Sequence, residues 1–245
     1  MCHHRVIGTA LTVVLVSPRN PLNIGAAARA MANFGFDDLR LVDPYEVAFR
    51  EAVSAVGGAH VLQSARVYAT LGEALADCSL VVGTTAGQKR VPQQPVDRLE
   101  AAMPRVRQNA GRAALLFGSE KFGLSNDDMS HCHALIRIPT APGTPSMNLG
   151  QAVAVCLWEL VRDDTAVAAV NAPEKKTDSV SGEEAERLTT MLLDVLRESG
   201  YTNRITAVST DLKVRRWLRR LRISRRDAPL LLGILRQILW KFRTR

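Results

Sequence analysis

A chain of 245 residues with 47% hydrophobic side chains can fill a core, and 32 basic against 24 acidic groups leave it at +8. That length suits one α/β domain with a smaller appendage, and that composition excludes wholesale disorder. The four cysteines form no C-x-x-C pair and no apolar run approaches ~18 residues, so a disulfide framework, a zinc finger and a membrane span are excluded, and a cytoplasmic location is expected.

In chain order, Thr12–Val16 is a continuous β-branched run, short enough for a buried parallel strand. The turn Ser17-Pro18-Arg19-Asn20-Pro21 ends it. Asn23–Met31 reads as a helix stopped by Gly35, and its small residues favour close packing on a sheet. Leu39–Val42 is a second strand, and Glu46–Ala55 is expected to be helical. A short strand is expected around Val61–Ala69, followed by a helix at Leu71–Ala76. Ser79–Gly83 is another buried strand, ending in the small-residue loop Thr84-Thr85-Ala86-Gly87. Pro95–Gln108 is expected to be helical, interrupted by Pro104. A strand through Leu115 then ends at Gly118-Ser119-Glu120, and a short helix is capped around Ser125-Asn126. A further strand ends at Ile138-Pro139. After a turn-rich loop, Ser146-Met147-Asn148 opens a long apolar helix. This alternation predicts an α/β fold: a mostly parallel sheet with helices on both faces. Two strand ends and a helix N-terminus then meet between Leu115 and Leu160, the usual place for a ligand crevice.

Beyond residue 162 the character changes. Residues 163–182 read as a linker between a domain at 1–162 and an extension at 183–245. The extension carries three helical patterns, Glu183–Glu198, Leu212–Leu221 and Pro229–Phe242. From Ser209 to Arg245 there are twelve basic residues against Asp211 and Asp227, a net of +10, while the rest of the chain sums to −2. Such segregation is the footprint of a polyanion-binding segment on a near-neutral domain. Arg215, Arg216, Arg219, Arg220 and Arg222, with Arg19 in the first turn, are the candidate RNA contacts; the alternative for the tail is a solvated helical face. His131-Cys132-His133 lacks a partner cluster and is not read as a metal site, and no metal is expected. His60, His131 and His133 are read as solvent-facing or structural.

No G-x-G-x-x-G, P-loop or G-x-S-x-G fingerprint is present. Three segments occur instead: PRNPLNIGAAARAMANFGF (Pro18–Phe36), LLFGSEKFGLSN (Leu115–Asn126) and IRIPTAPGTPSMNLGQAVAV (Ile136–Val155). Together they resemble the three motifs of the SPOUT, or α/β-knot, RNA 2′-O-methyltransferases of the TrmH/SpoU type. The tail looks like the extension of the subgroup that methylates a ribose in the tRNA anticodon loop.

The resemblance implies S-adenosylmethionine as methyl donor, a homodimer, a C-terminal trefoil knot in the catalytic domain, and an RNA substrate, tRNA before ribosomal RNA. A non-catalytic RNA-binding protein is the rival from another class. Carried onto this sequence, the cofactor loops are Thr84-Thr85-Ala86, then Gly118 with Glu120, then Ile138 with Pro145-Ser146-Met147, with Leu149 as a further wall. Arg29, Asn23, Ser146 and Asn148 match the polar catalytic set. For Ser146 and Asn148, helix capping is a compatible role. A guanidinium at Arg29 can bind the adjacent phosphate and favour a developing alkoxide. A pKa above ~12 disfavours it as a general base. The resemblance leaves open whether Arg29 acts within one subunit or across a dimer.

Overall fold

Strand β1 (Leu11–Val16) explains the layering: all six residues are buried, with Val13 and Leu15 in one apolar cluster and Val14 and Val16 in another. A strand alternates its side chains between faces, so a run apolar at every position belongs inside a sheet covered on both sides. A computed structural model describes residues 10–45, 58–87, 94–162, 179–202 and 207–244. It joins β1 to β2 (Leu39–Val42), β3 (Arg66–Tyr68), β4 (Cys78–Thr84), β5 (Val96–Arg98), β6 (Arg112–Phe117) and β7 (Ala134–Arg137). The order is β3-β2-β1-β6-β4-β7-β5, and every pairing is parallel. All strands therefore end on the same edge.

One face is covered by α1 (Pro21–Asn33), α2 (Ala59–Gln63), α4 (Leu99–Arg107) and α6 (Leu149–Val161), and the other by α3 (Leu71–Ala74) and α5 (Asn126–Ser130). Helices α1 and α6 approach closely because Gly150 faces Ala26; a Cβ at Gly150 would lie 2.5 Å from the Ala26 Cβ. At the sheet's opposite edge, the fully buried Arg40 binds Asp38 at 3.0 Å and donates to the Ala74 carbonyl at 2.6 Å, and it also pairs with Asp77. Despite a burial penalty in the other direction, hydrogen bonds from Arg40 hold the Asp77 carboxyl at about 2.

Several expectations need correction. The segment from Val61 does not begin as a strand: α2 comes first and β3 starts at Arg66. Val61 and Leu62 dock in the core, and Gly58 turns with φ +88° so tightly that a Cβ would meet the Arg29 amide nitrogen at 2.8 Å. Tertiary burial overrides β-propensity there. Pro95–Gln108 is not one helix, since Val96–Arg98 pairs with β7 at the sheet edge and α4 follows. Pro104 lies within α4 without ending it. Leu99, Ala102, Met103 and Val106 bury that helix's inner face, outweighing one lost hydrogen bond. The helix expected at Glu46–Ala55 lies outside the described residues.

Of the linker expected at 163–182, the structure describes the last four residues. Residues 163–178 lie outside the described residues, but Ser179 bridges Ser224 and the Val180 amide donates to Ile223 at 3.0 Å. Ser181 and Glu184 then form a reciprocal cap on α7 (Gly182–Glu198). Helices α7, α8 (Ala207–Leu221) and α9 (Asp227–Arg243) share a small core of Leu188, Leu218, Ile223 and Ala228. This unit is docked on the sheet domain: the Glu183 amide donates to Ala76 at 2.8 Å, and Gly182 presses on the Leu75 carbonyl, where a Cβ would stand at 1.9 Å.

Candidate active site

At the edge where β4, β6 and β7 end lies a cleft of about 360 Å³. After β6 the chain must reverse abruptly. Gly118 permits this, because a Cβ there would stand 2.0 Å from the Gly123 carbonyl carbon. Gly123 completes the reversal at φ +66°, with its amide donating back to Ser119 at 2.8 Å. The loop after β4 is pinned by the Thr84 hydroxyl on Leu116 O at 2.9 Å and the Thr85 amide on Ile136 O at 2.9 Å. The third loop closes on itself through Thr140 Oγ1 to Pro145 O at 3.1 Å.

Thr84, Thr85, Ala86, Gly118, Glu120, Ile138, Pro145, Ser146, Met147 and Leu149 all line this cleft, as do Asn23 and Asn148. The first ten fall on three segments spread over 65 positions of sequence and Asn23 comes from α1, yet all converge on one cavity. Apolar walls, small residues and turned-in backbone suit a flat heterocycle with a polar tail.

A polar relay runs along one wall. Asn148 caps α6 by accepting the Gln151 amide at 3.3 Å, and its Nδ2 donates to Asn23 Oδ1 at 2.8 Å. Asn23 Nδ2 donates to Glu120 Oε1 at 2.9 Å. Glu120 also accepts the amides of Asn20 at 3.1 Å and Arg19 at 3.2 Å, so it anchors the turn entering α1. Burial would raise the Glu120 carboxyl, but hydrogen bonds from Asn23 and these backbone amides hold it below its ordinary range. Glu120 is thus an ionised brace as well as a cleft wall. Asn23 and Asn148 have fixed orientations because each amide both donates and accepts within the relay.

Arg29 is elsewhere. It is exposed on the outer side of α1 and does not line the cleft, and its side chain makes no hydrogen bond or ion pair with any described residue. The Arg19 side chain is exposed at the first turn. Sequence reasoning missed Lys121 and Phe122, which line the cleft with the ammonium 5.1 Å from the ring centre. Their signal was available, since both sit inside the GSEKFG segment beside Glu120.

The tail arginines divide. Arg220 and Arg222 are exposed, but three others are turned toward the protein. Arg215 pairs with Asp127 at 3.1 Å and Glu186 at 3.3 Å, Arg216 donates to Asn126 O at 3.2 Å, and Arg219 is 3% exposed. The single RNA-facing stripe expected from composition is corrected accordingly: one flank of α8 docks on α5 and α7 through charge.

Comparison with known proteins bears on this chemistry. The SpoU rRNA Methylase family pattern matches residues 10–158. The chain is 35% identical over 239 residues to the tRNA (cytidine/uridine/adenosine-2′-O-)-methyltransferase TrmJ of Pseudomonas aeruginosa strain UCBPP-PA14, covering 92% of each. It is 34% identical over 233 residues to the tRNA (cytidine/uridine-2′-O-)-methyltransferase TrmJ of Salmonella typhimurium strain LT2, covering 93% of this chain and 96% of that one. Among solved structures, TrmJ from Z. mobilis ZM4 superposes with a TM-score of 0.81 at 33% identity, over 94% of this chain and 99% of the other.

Proposed function

We propose, from the premise that this chain belongs to the SpoU methylase family, that it uses S-adenosylmethionine to methylate a ribose 2′-OH in tRNA. It is an RNA 2′-O-methyltransferase. The observation that carries the site assignment is the convergence of all ten cofactor-binding candidates on one cleft. Its residues fit the cofactor: the loop of Gly118 offers backbone at close range, Ile138, Met147 and Leu149 offer apolar walls, and Thr84, Thr85 and Ser146 offer hydroxyls. When bound, the cofactor supplies an electrophilic methyl group on a sulfonium.

The chain's own work is positioning and charge. Alignment of a hydroxyl with the methyl group can lower a barrier by ~7–11 kcal/mol in favourable systems. Asn23 and Asn148, locked by the relay, orient the ribose, and Ser146 adds a hydroxyl at the same rim. Arg29 binds the neighbouring phosphate and stabilises the developing alkoxide as the hydroxyl proton passes to that phosphate. Its guanidinium stands outside its own cleft, so a homodimer brings Arg29 of the partner subunit to the substrate. Support for that dimer comes from the outward residues of α1 and α6, which pack side by side: Leu22 is 75% exposed and Trp158 50%. A trefoil knot is supported by the insertion of β6 between β1 and β4 and the return of α6 onto α1. RNA binding by the extension rests on the exposed Arg220 and Arg222.

Calorimetry with S-adenosylmethionine tests the reading, and absence of saturable binding would overturn it. Arg29→Ala is expected to abolish methylation while leaving cofactor binding and the far-ultraviolet spectrum unchanged; normal turnover would remove its assigned role. Mass spectrometry of RNA from a strain lacking the protein identifies the substrate. A methyl group missing from ribosomal RNA alone would replace tRNA as the target.

A further inference from the structure

A second cavity, of about 450 Å³, lies far from the methyl-transfer cleft, between the strand-start side of β4, helix α4 and the helical unit. Its walls carry Arg105 from α4, Arg219 from α8 and Arg222 from the turn after α8. Three arginines from two separate units line one half-open space.

Their charge is poorly matched. Arg219 is 3% exposed, its Nε has no hydrogen-bond partner, and its carboxylate neighbour is Glu186 at 3.5 Å. Arg219 shares Glu186 with Arg215, which stands nearer to it at 3.3 Å and also has Asp127 at 3.1 Å. Arg105 likewise has a buried, unpartnered Nε. Burial, followed by repulsion from Arg222, pushes its pKa down, and Asp97 is the carboxylate acting the other way. A buried cation without its full set of acceptors is costly, and such a group calls for an anion.

A neutral donor faces the same space. His133 Nδ1 accepts the Val81 amide at 3.0 Å, which leaves the proton on Nε2. Burial, then Arg219, Arg105 and Arg222, push this imidazole down to about 3. The ring therefore senses all three arginines and stays uncharged at neutral pH. Ser79 and Asn109, hydrogen-bonded to each other at 3.1 Å, and Gln108 add polar groups to the wall.

We propose that this cavity is a receptor for a phosphate group, held by Arg105, Arg219 and Arg222 with His133 as a neutral donor. Guanidinium forks match phosphate oxygens bidentately, and three of them exceed what a carboxylate ligand needs. The phosphate has two chemical sources, the backbone of bound RNA or a free phosphate ester. The assignment does not rest on methyl transfer: either can fail alone.

The full chain should be titrated with inorganic phosphate, following heat and the His133 Nε2–H resonance. Saturable binding and a saturable shift are expected, with the midpoint raised at least tenfold in R105Q/R222Q, whose positions are half-buried and exposed. No saturable response, an equal response to chloride, or an unchanged midpoint in the double variant would overturn the proposal. The wild-type titration decides even if the variant folds poorly. A 5′-hydroxyl RNA hairpin then separates the sources. Displacement of phosphate by the hairpin, with weaker RNA binding in the single variant R105Q, assigns an RNA phosphate. Phosphate binding indifferent to the hairpin assigns a free phosphate ester.

Discussion

Glu120 carries more of the site than its position in a loop suggests. Its two oxygens accept from the Asn23 side chain and from the amides of Arg19 and Asn20, all donors. In Glu120→Gln one of those oxygens becomes an NH₂ facing a donor, which leaves a poorly satisfied pair at a cost of ~1–3 kcal/mol. For a chain of this size that corresponds to a drop in melting temperature of roughly 2–4 °C per kcal/mol. Thermal unfolding would check it, with a parallel loss of cofactor affinity, because the same residue walls the cleft. An unchanged melting temperature would mean that the brace does not matter. In sequence, Glu120 was visible as a motif residue, but its partners were not. They come from a turn one hundred positions earlier, and only the closed sheet brings them together.

Helix α8 shows where composition misleads. Its basic residues read as one polyanion-binding face, yet Arg215 and Arg219 reach Glu186 and Arg215 also reaches Asp127. Charge content is local information; the pairing depends on elements up to 88 residues away. Removing the shared carboxylate in Glu186→Ala leaves a buried arginine uncompensated. The expected cost is about 2–3 kcal/mol, below the ~3–5 of a fully buried pair because Glu186 is partly exposed. Urea unfolding followed by tryptophan fluorescence reads that loss. On the same helix, Arg220→Ala should leave stability within ~0.5 kcal/mol. It should instead weaken RNA binding and reduce its salt slope by about 1. Equal stability losses in both variants would refute this division of labour. By contrast, α6 and its cap were legible outright. Asn148 and the apolar run after it are a local signal, and the helix begins at Leu149 as that signal requires.

The molecule as a whole carries a pH liability at the junction between its two units. His131 and His133 are both pushed down to about 3, chiefly by burial and then by the neighbouring arginines. An unfolded histidine titrates near 6.5, so the unfolded chain takes up protons first as the solution is acidified. This contribution to stability is therefore fully present above ~6.5 and is lost as pH falls from there toward 3. The slope reaches ~1.4 kcal/mol per pH unit for each histidine, or about 3 kcal/mol for the pair between pH 7.5 and 5.5. Asp77, held at about 2, loses its contribution only below pH ~4, after the histidines. Urea midpoints at pH 7.5 and 5.5 test this, and equal midpoints would contradict it. The sheet's layers and its ligand edge could be read from apolar runs and turns, the edge strand β5 excepted, whereas this junction could not. His131 and His133 look unremarkable until α7 and α8 bury them.

The relay along the cleft also dictates when the site can exist. Asn148 meets Asn23 across 125 positions of chain, and between them in sequence lies β6, which leads into Gly118 and pairs with both β1 and β4. At ribosomal speeds of ~5–20 residues per second, the first helix waits on the order of ten seconds for its counterpart to be synthesised. During that interval α1 has no α6 to pack against Ala26, and its entry turn has no carboxylate to hold it. Competence to bind a ligand is thus a late event in the life of the nascent chain, and truncated products ending before Asn148 should emerge without it.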